Sequence, residues 1–300
     1  NSQRSAELLW SVADVHRLTR NKNVAAYLAN SPNFSSTHPV NLGPQASEEE
    51  RAIDPMVAVL QIDETSAESH NPLGPLGWLV FAPMQPAAMR PPHHLLNADV
   101  FGVAARALEA RLRPLRTQND PRCKTRNPGG VQCPNLADFD PLVGMISTNA
   151  ADVVPNAFIG SAEEVTSIGN RFAERLFFAN HSRAKFSDKV VIDTRYLEAD
   201  LPGACLLHGA SLCATGELGN GLIRGGNGSE PIDNERDNCQ APKPATSSRL
   251  NSLMLGGQSA RFPEHVAFGL VRIDDTWVSF VPAQVTVHAG WAIRQRVEHV

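Results

Sequence analysis

The segment NAADVVPN, residues 149–156, combines the residue types of a reactive loop with a centre that cannot react. Amide and carboxylate side chains can hold a substrate or move a proton, and a proline stiffens the chain beside them. The residues of that frame are Asn149, Asp152, Pro155 and Asn156. Between them stand two valines, which can neither attack a carbonyl carbon nor bind a metal. The segment predicts a loop that is placed for chemistry but lacks a nucleophile.

The histidines lack the spacing of a metal site. Ten of them are scattered along the chain without an HxH or HExxH pattern. His93 and His94 follow two prolines, and neighbouring residues of an extended segment point in opposite directions, so this pair does not favour a shared metal. The glycine-rich GGNG near residue 225 lacks the strand and helix that flank a phosphate-binding loop. These residues by themselves name no reaction.

The five cysteines favour an oxidising compartment. Two pairs flank short loop-like segments, CKTRNPGGVQC and CLLHGASLC, whose lengths suit small disulfide loops. We predict that Cys123 pairs with Cys133 and Cys205 with Cys213, which leaves Cys239 unpaired; the alternative, all five reduced, stays open. Three Asn-X-Ser sequons suit the same compartment if the source glycosylates: Asn33, Asn180 and Asn227. We therefore expect a secreted, extracellular or periplasmic protein.

The composition excludes some function classes. A chain of 300 residues with 42% hydrophobic residues can bury a large core. The formal net charge is -4 and there is no basic stripe, so a nucleic-acid partner has no electrostatic support. No run of 18 apolar residues occurs, so we expect no transmembrane segment. The chain begins at Asn1 without a methionine or signal peptide, which predicts a processed chain or a fragment.

The elements around the opening segment follow two periodicities. Apolar β-rich runs predict neighbouring buried strands at 56–63 and 76–84, and an alternating pattern predicts a strand at 189–200. Helical stripes predict a helix over 97–113, with Asn97 as its N-cap, and another after a capping box at Ser161 and Glu164. The remaining segments are predicted as a helix over 6–30, a capping box in SEEER, irregular chain over 114–140 and 215–262, a hairpin turning at 274–275 and a helical C-terminus. Interleaved strands and helices predict a mixed α/β (α+β) fold, taken as one domain over 1–300.

Several segments, in order along the chain, resemble the neutral (non-lysosomal) ceramidase family. NAADVVPN resembles that family's NxGDVSPN, and GWLVFAPMQPAAM resembles WFAVHPTSM. LLNADVFGVAARALE resembles LISxDNKGYASYxxE, and VAFGLVRIDDTWVSFVPAQVTVHAG resembles LPLQLLRIGxLxLxxVPGEFTTMAG. The resemblance implies the ceramidase catalytic-domain scaffold, with mixed sheets flanked by helices. It also implies a zinc amidase that cleaves ceramide to a fatty acid and a sphingoid base.

The sequence departs from the family at each position where the resemblance places a catalytic group. Gln85 stands at a zinc-ligand histidine, Val154 at the catalytic serine and Gln284 at a zinc-ligand glutamate. Carboxamides are poor replacements for imidazole and carboxylate on zinc, and valine offers no oxygen. The family's N-terminal zinc-histidine segment and C-terminal immunoglobulin-like domain have no counterpart in this sequence. We therefore expect no zinc and no intact catalytic site.

Two functional hypotheses remain. In the first, the chain has lost amide hydrolysis and acts as a non-catalytic binding or structural module of an extracytoplasmic assembly, with other protein chains or with a lipid or hydrophobic ligand in the former substrate pocket. In the second, it is a zinc-dependent amidohydrolase with an altered or partner-completed site. The substitute groups in the second case are Asp152, Asn156, His208 and His288, each of which is also an ordinary turn, cap or loop residue.

Overall fold

The computed structural model of the chain describes residues 5–22, 24–29, 46–66, 72–89, 99–119, 123–126, 130–132, 140–148, 152–179, 190–200, 265–281, 285 and 287–298. These residues divide into two compact units. The first unit comprises Asn1–Arg20 and Ile53–Val190, and the second comprises Asn21–Ala52 and Val191–Val300. Each unit contains both sheet and helix, so the predicted mixed α/β (α+β) class is confirmed.

Strands and helices are interleaved along the chain. In chain order they are β1 (Ser5–Asp14), β2 (Thr19–Asn21), α1 (Val24–Ala29), α2 (Glu48–Arg51), β3 (Met56–Thr65), β4 (Pro72–Ala82), α3 (Asp99–Asn119), β5 (Lys124–Arg126), β6 (Gly130–Gln132), β7 (Leu142–Ser147), β8 (Val153–Pro155), α4 (Ala162–Ala179), β9 (Ile192–Asp200), β10 (His265–Ile273), β11 (Thr276–Phe280) and α5 (Val287–Glu298). Within the described residues, no helix is both long and apolar enough to cross a membrane.

A four-stranded sheet in the order β1-β3-β4-β7 forms the centre of the first unit. β3 pairs antiparallel with both β1 and β4, whereas β7 pairs parallel with β4. The apolar runs predicted as neighbouring buried strands are therefore confirmed as β3 and β4. Their inward side chains, among them Val57, Val59, Trp78 and Val80, are almost fully buried. Burial of these β-branched and aromatic side chains is the main driving force for forming this sheet.

Helices α3 and α4 cover the sheet of the first unit and pack on each other. α3 connects the parallel strands β4 and β7, as a crossover helix must. Both predicted stripes are confirmed at their centres, because Leu108 and Leu112 of α3 and Phe172 and Leu176 of α4 are fully buried. The helices approach so closely at Gly169 that an added Cβ would lie 2.6 Å from the side chain of Val103. This contact explains a glycine in the interior of a helix.

The prediction of a helix over residues 6–30 is wrong for most of its length. Residues Ser5–Asp14 form β1, which pairs with β3 along its whole length, and only Val24–Ala29 is helical. The apolar residues at 8–10 fit a helical face and a strand equally well at this length. Ten consecutive backbone pairings with β3 decide in favour of the strand.

The prediction of irregular chain over residues 114–140 is also wrong in part. α3 continues through Pro114 to Asn119, and β5 and β6 form a short antiparallel pair. The last turns of α3 are held by Arg116, whose buried guanidinium donates to the carboxylate of Glu64 and to the carbonyl oxygen of Gly74 at 3.4 Å. A buried ion pair therefore extends the helix beyond its apolar stripe. β7, which the sequence did not suggest, pairs parallel with β4.

The second unit contains a three-stranded antiparallel sheet in the order β11-β10-β9. The predicted hairpin is confirmed, with Asp274 in a left-handed conformation (φ 53°) at the turn. The Asp274 carboxylate accepts from the backbone N–H of Val191 at 2.9 Å, and this bond anchors the start of β9. The predicted strand at 189–200 is confirmed as β9, although Ile192, Tyr196 and Leu197 are exposed on both of its faces rather than on one.

Helix α2 of the second unit begins at the capping box predicted in SEEER. Ser47 and Glu50 form a complete capping box at the start of α2, with bonds of 3.2 and 3.0 Å. The helical C-terminus is confirmed as α5, in which Trp291 is buried and meets Tyr27 of α1 edge-on at 6.2 Å between ring centroids. The segment 215–262, predicted to be irregular, lies outside the described residues.

Candidate functional site

The centre of NAADVVPN is a buried strand rather than the predicted loop. Residues Val153–Pro155 form β8, which pairs with β2. Val153 is fully buried and Val154 is 8% exposed. Asp152, in the turn directly before the strand, is 2% exposed. The two valines therefore supply apolar packing that fixes the position of the segment, and Asn149 lies outside the described residues.

Gln85 lies beside this strand. Its backbone N–H donates to the carbonyl oxygen of Val153 at 2.8 Å. The chain reaches that point through a tight turn after β4, in which the N–H of Met84 bonds to the carbonyl oxygen of Ala82. The hydroxyl of Ser147, at the end of β7, donates to the carbonyl oxygen of Met84 at 2.6 Å. The structure thus brings together two of the substituted positions that lie far apart in sequence.

Asn156 holds the other side of the site. Its backbone N–H donates to the carbonyl oxygen of Leu18 at 2.8 Å, and its side-chain amide donates to the carbonyl oxygen of Arg17 at 3.4 Å. Arg17 has a left-handed backbone conformation (φ 67°) in the turn between β1 and β2. Asn156 therefore fixes a strained turn, which is the structural role that the sequence left open for it.

Asp99 completes the frame of the site, and the sequence reading did not single it out. Its carboxylate accepts from the backbone N–H groups of Ala88 at 3.0 Å, Met89 at 3.2 Å and Val100 at 2.9 Å. One side chain thus ties the segment after Gln85 to the start of α3. The signal was present as an aspartate at the start of an apolar stripe; the predicted cap, Asn97, lies outside the described residues.

The residues at this site do not fit a zinc ion. Zinc sites in proteins use thiolate, imidazole or carboxylate ligands, and Gln85 offers only a carboxamide. The described part of the chain contains no group of three or more His, Cys, Asp or Glu residues able to hold a metal. Gln284 and His208 lie outside the described residues, and so does the side chain of His288. No step of a reaction is therefore assigned to zinc.

A surface depression of about 400 Å³ lies elsewhere, on the exposed face of α4. Residues of that helix alone line it: Ala162, Glu163, Thr166, Ser167 and Asn170. A depression on one side of a single helix does not enclose a ligand, and neither Gln85 nor Val154 contributes to it. It is therefore separate from the site at β8.

A buried acid with a perturbed pKa lies on β3. Burial raises the pKa of Asp63, and the cross-strand neighbour Glu7 raises it further. A hydrogen bond of 2.7 Å from the side-chain amide of Gln61 and the positive charge of Arg116 act in the opposite direction. Burial thus disfavours the charged form of Asp63, and this carboxyl does not belong to the site at β8.

The remaining predictions about covalent structure lie almost entirely beyond the described residues. Cys123 directly precedes β5, whereas the other four cysteines and all three sequon asparagines are outside the described part of the chain. The two disulfides and glycosylation at Asn33, Asn180 and Asn227 stay predictions. The histidine pair at 93–94 also lies outside the described residues.

The fold of the chain is that of the neutral ceramidase structures. The structure is similar to that of neutral ceramidase from Pseudomonas aeruginosa, with a TM-score of 0.62 and 20% identity over 98% of this chain. It is similar also to a ceramidase solved in complex with C2, with a TM-score of 0.59 and 18% identity over 98% of this chain. No protein-family model and no curated protein matches the sequence.

The similarity establishes the fold and confirms the ceramidase-like scaffold that the resemblance implied. The chain spans only 42% and 44% of the length of those two structures. At identities of 18–20%, the shared architecture does not carry the catalytic activity of those enzymes to this chain.

Proposed function

We propose that this protein is a ceramidase-like scaffold that has lost amide hydrolysis and acts as a non-catalytic binding or structural module outside the cytoplasm. One observation carries the proposal. Val154, which the resemblance places at the catalytic serine, lies within a buried strand. Its neighbour Val153 accepts a hydrogen bond from the backbone of Gln85, which the resemblance places at a zinc-ligand histidine. Neither position offers the group that the chemistry needs, and the hydrogen bond from Gln85 to Val153 supports the alignment of both positions.

The loss of a reactive group here has a physical consequence. Attack on an amide carbonyl needs an oxygen or sulfur nucleophile or a metal-bound hydroxide, and an isopropyl group supplies neither. Val154 is instead packed where its branched side chain stabilises β8. The frame residues Asp99 and Asn156 then act by holding backbone: each accepts from or donates to main-chain groups of neighbouring segments.

Turnover and metal content test the proposal together. The purified protein is incubated with a fluorescent ceramide, and its zinc is measured by elemental mass spectrometry. We expect less than about 0.1 equivalent of bound zinc, far below the near-stoichiometric occupancy of a catalytic zinc site, and no fatty acid released above the buffer background. Stoichiometric zinc with multiple turnovers would overturn the proposal.

Reintroduction of the family residues provides a matched comparison. The triple variant Q85H/V154S/Q284E restores an imidazole, a hydroxyl and a carboxylate at the three substituted positions. Val12 is an exposed valine of β1, so V12S is the control for a valine-to-serine change remote from the site. We expect the triple variant to bind more zinc than the wild type and V12S to be unchanged. Equal zinc binding by all three proteins would contradict the proposed site alignment.

The altered-site amidohydrolase is the second candidate, and the burial of Asp152 favours it. Among the candidate groups that the structure describes, Asp152 is the carboxylate: it is 2% exposed, directly precedes β8 and could substitute for a missing base or ligand. If wild-type protein hydrolyses ceramide, D152N should abolish that activity while leaving the thermal unfolding midpoint within a few degrees. Activity that survives in D152N would eliminate Asp152 as the substitute group, and wild-type protein without any activity would eliminate this candidate.

A retained hydrophobic pocket is the ligand-binding form of the proposal. Valine in place of serine makes the former substrate site more apolar, which suits passive binding of a lipid chain. Fluorescent ceramide at micromolar concentration should then gain anisotropy with the wild type. No gain would leave the structural-module form.

The prediction that residues 1–300 make one domain is checked separately, by a single cooperative unfolding transition.

A further inference from the structure

The three-stranded sheet of the second unit has an open edge at β9. This strand pairs with β10 on one side, and among the strands that the structure describes none pairs with its other side. The backbone N–H and carbonyl groups along such an edge are a template for another strand. Four apolar side chains in or directly before β9 are between 54% and 67% exposed: Val191, Ile192, Tyr196 and Leu197. The open edge is therefore flanked by exposed apolar groups.

The contacts of Val191 show which backbone groups face the open edge. Its N–H donates to the carboxylate of Asp274 at 2.9 Å, and its carbonyl oxygen accepts from the N–H of Asp274 at 2.9 Å. Both backbone groups of Val191 thus point to the β10 side. Successive residues of an antiparallel ladder direct their backbone groups to opposite sides. The N–H and carbonyl groups of Ile192, Thr194 and Tyr196 therefore point away from β10, to the open edge.

The sequence of β9 is complementary to a second copy of itself. In an antiparallel pairing centred on Thr194, Ile192 lies opposite Tyr196, and Asp193 lies opposite Arg195. Each of these two pairs occurs twice, and Thr194 lies opposite itself. Pairs of a β-branched with an aromatic residue, of opposite charges and of two threonines all stabilise antiparallel strands. The opposite charges also fall in the non-hydrogen-bonded pairs, where side chains approach most closely.

The charges of β9 select this register over its neighbours. Charged side chains on an edge strand usually prevent pairing with another chain. Centring the pairing on Asp193 or on Arg195 would set two like charges opposite each other. Centring it on Tyr196 would set Arg195 opposite Leu197, without a charge partner. Only among charges paired as in the Thr194-centred register does the same set of side chains attract.

We propose that two copies of this protein associate through the edge of β9, in an antiparallel pairing centred on Thr194 that joins their sheets into one. The contact is isologous, so each copy contributes the same groups. It buries on the order of 1,000 Å² in total, at the low end of stable interfaces, so we expect a reversible dimer with a Kd of about 1–100 µM. The dimer does not depend on the loss of amide hydrolysis, so the two proposals fail separately.

Sedimentation velocity of the full chain, from about 1 to 300 µM, tests for this dimer. We expect the sedimentation coefficient to rise with protein concentration. R195E sets a carboxylate opposite Asp193 of the other copy and should raise the Kd about tenfold or more. T194P removes an N–H that faces the open edge, without removing a bond to β10, and should abolish the dimer. A wild type that stays monomeric throughout, or either variant dimerising like the wild type, would refute the proposal.

A charge swap separates the contact between copies from the ion pair within one chain. Arg195 and Asp193 of the same strand lie 3.4 Å apart, and D193R/R195E keeps that pair. Two swapped copies attract each other again, so the Kd should return to within about threefold of the wild-type value. A swapped copy beside a wild-type copy meets like charges. Native mass spectrometry of isotope-labelled wild type mixed with the swapped variant should therefore show mainly homodimers, and statistical mixing would contradict the register.

Disulfide trapping locates the contact. Opposite residues of a hydrogen-bonded pair have Cα atoms about 5.5 Å apart, within the range of a disulfide. T194C should therefore form a disulfide between two copies, detected by mass spectrometry as a peptide linked to itself. S279C is the matched control, because Ser279 is exposed on β11, at the other edge of the sheet. Absence of this link in T194C, or equal self-linking in S279C, would refute the proposal. Circular dichroism at the lowest protein concentration checks that each variant is folded.

Discussion

The buried ion pair between Arg116 and Glu64 offers the sharpest test of what holds α3 on the sheet. The Arg116 guanidinium is 1% exposed, and it donates to the Glu64 carboxylate and to the carbonyl oxygen of Gly74. In R116M the apolar stem of the side chain is kept and the charge is lost. The Glu64 carboxylate then stays buried without its guanidinium partner. Removing one member of a buried pair costs about 3–5 kcal/mol, and we expect R116M to lose that much free energy of unfolding.

The double variant E64Q/R116M separates the ion pair from packing. It removes the buried negative charge together with the positive one, so we expect it to recover about half or more of the stability that R116M loses. Urea denaturation followed by circular dichroism measures both, at pH 7 and equal protein concentration. A second readout is the pH dependence: Arg116 lowers the pKa of Asp63, so R116M should raise that pKa further.

Two outcomes would refute this reasoning. A loss below about 1 kcal/mol in R116M would mean that water reaches the Glu64 carboxylate and the pair is not buried in solution. An E64Q/R116M variant as unstable as R116M would mean that the loss comes from packing of the arginine stem rather than from an uncompensated charge. The m-value should be unchanged in both variants, since a change would report on the denatured state.

Three further changes test other parts of the structure. Burial raises the pKa of Asp63, so the folded chain holds that proton more tightly than the unfolded chain and loses stability as pH rises through the folded-state pKa. D63N should therefore raise the free energy of unfolding at pH 7 and match wild type near about pH 3. If D63N and wild type were equally stable at both pH values, the raised pKa of Asp63 would be contradicted. G169A should destabilise by about 1–3 kcal/mol, because its Cβ would overlap Val103, and a gain in thermal unfolding midpoint would show that the helices separate cheaply. E164A should destabilise the fold by about 1–3 kcal/mol, because the buried N–H of Gly160 loses its acceptor, and it should speed hydrogen exchange at residues 158–160. Unchanged exchange would show that other contacts hold the bend at residues 158–160.

Several elements could be predicted because their signals are local. β3 and β4 are continuous apolar runs bounded by glycine and proline, and the stripe of α4 repeats with the helical period after Ser161. The β10–β11 hairpin turns at two adjacent aspartates, one of which adopts the left-handed conformation that such a turn needs. In each case one segment contains all the information that decides its structure.

Other elements depended on partners that are distant in sequence. β1 has an apolar pattern that is also compatible with a helix, and its backbone pairing with β3 makes it a strand. α3 continues beyond Pro114, where Arg116 forms an ion pair with Glu64, which lies 52 residues away in sequence. β8 is a strand because β2 offers it a partner. A single-segment pattern carries no record of these pairings, so predictions at these places were wrong or missing.

The sequence by itself determined the class of the fold, the ceramidase-like scaffold and the chemical identity of the substituted positions, because residue types and their order are independent of conformation. Only the tertiary structure decided that Gln85 lies against Val153, that Val154 is packed inside a strand, and that Asp99 and Asn156 act on backbone groups. Proximity between residues 68 positions apart arises from the hydrogen bonds and burial of the folded chain. The physical reason is that packing and backbone pairing involve residues from distant parts of the chain, whereas a short sequence segment contains only its own residues.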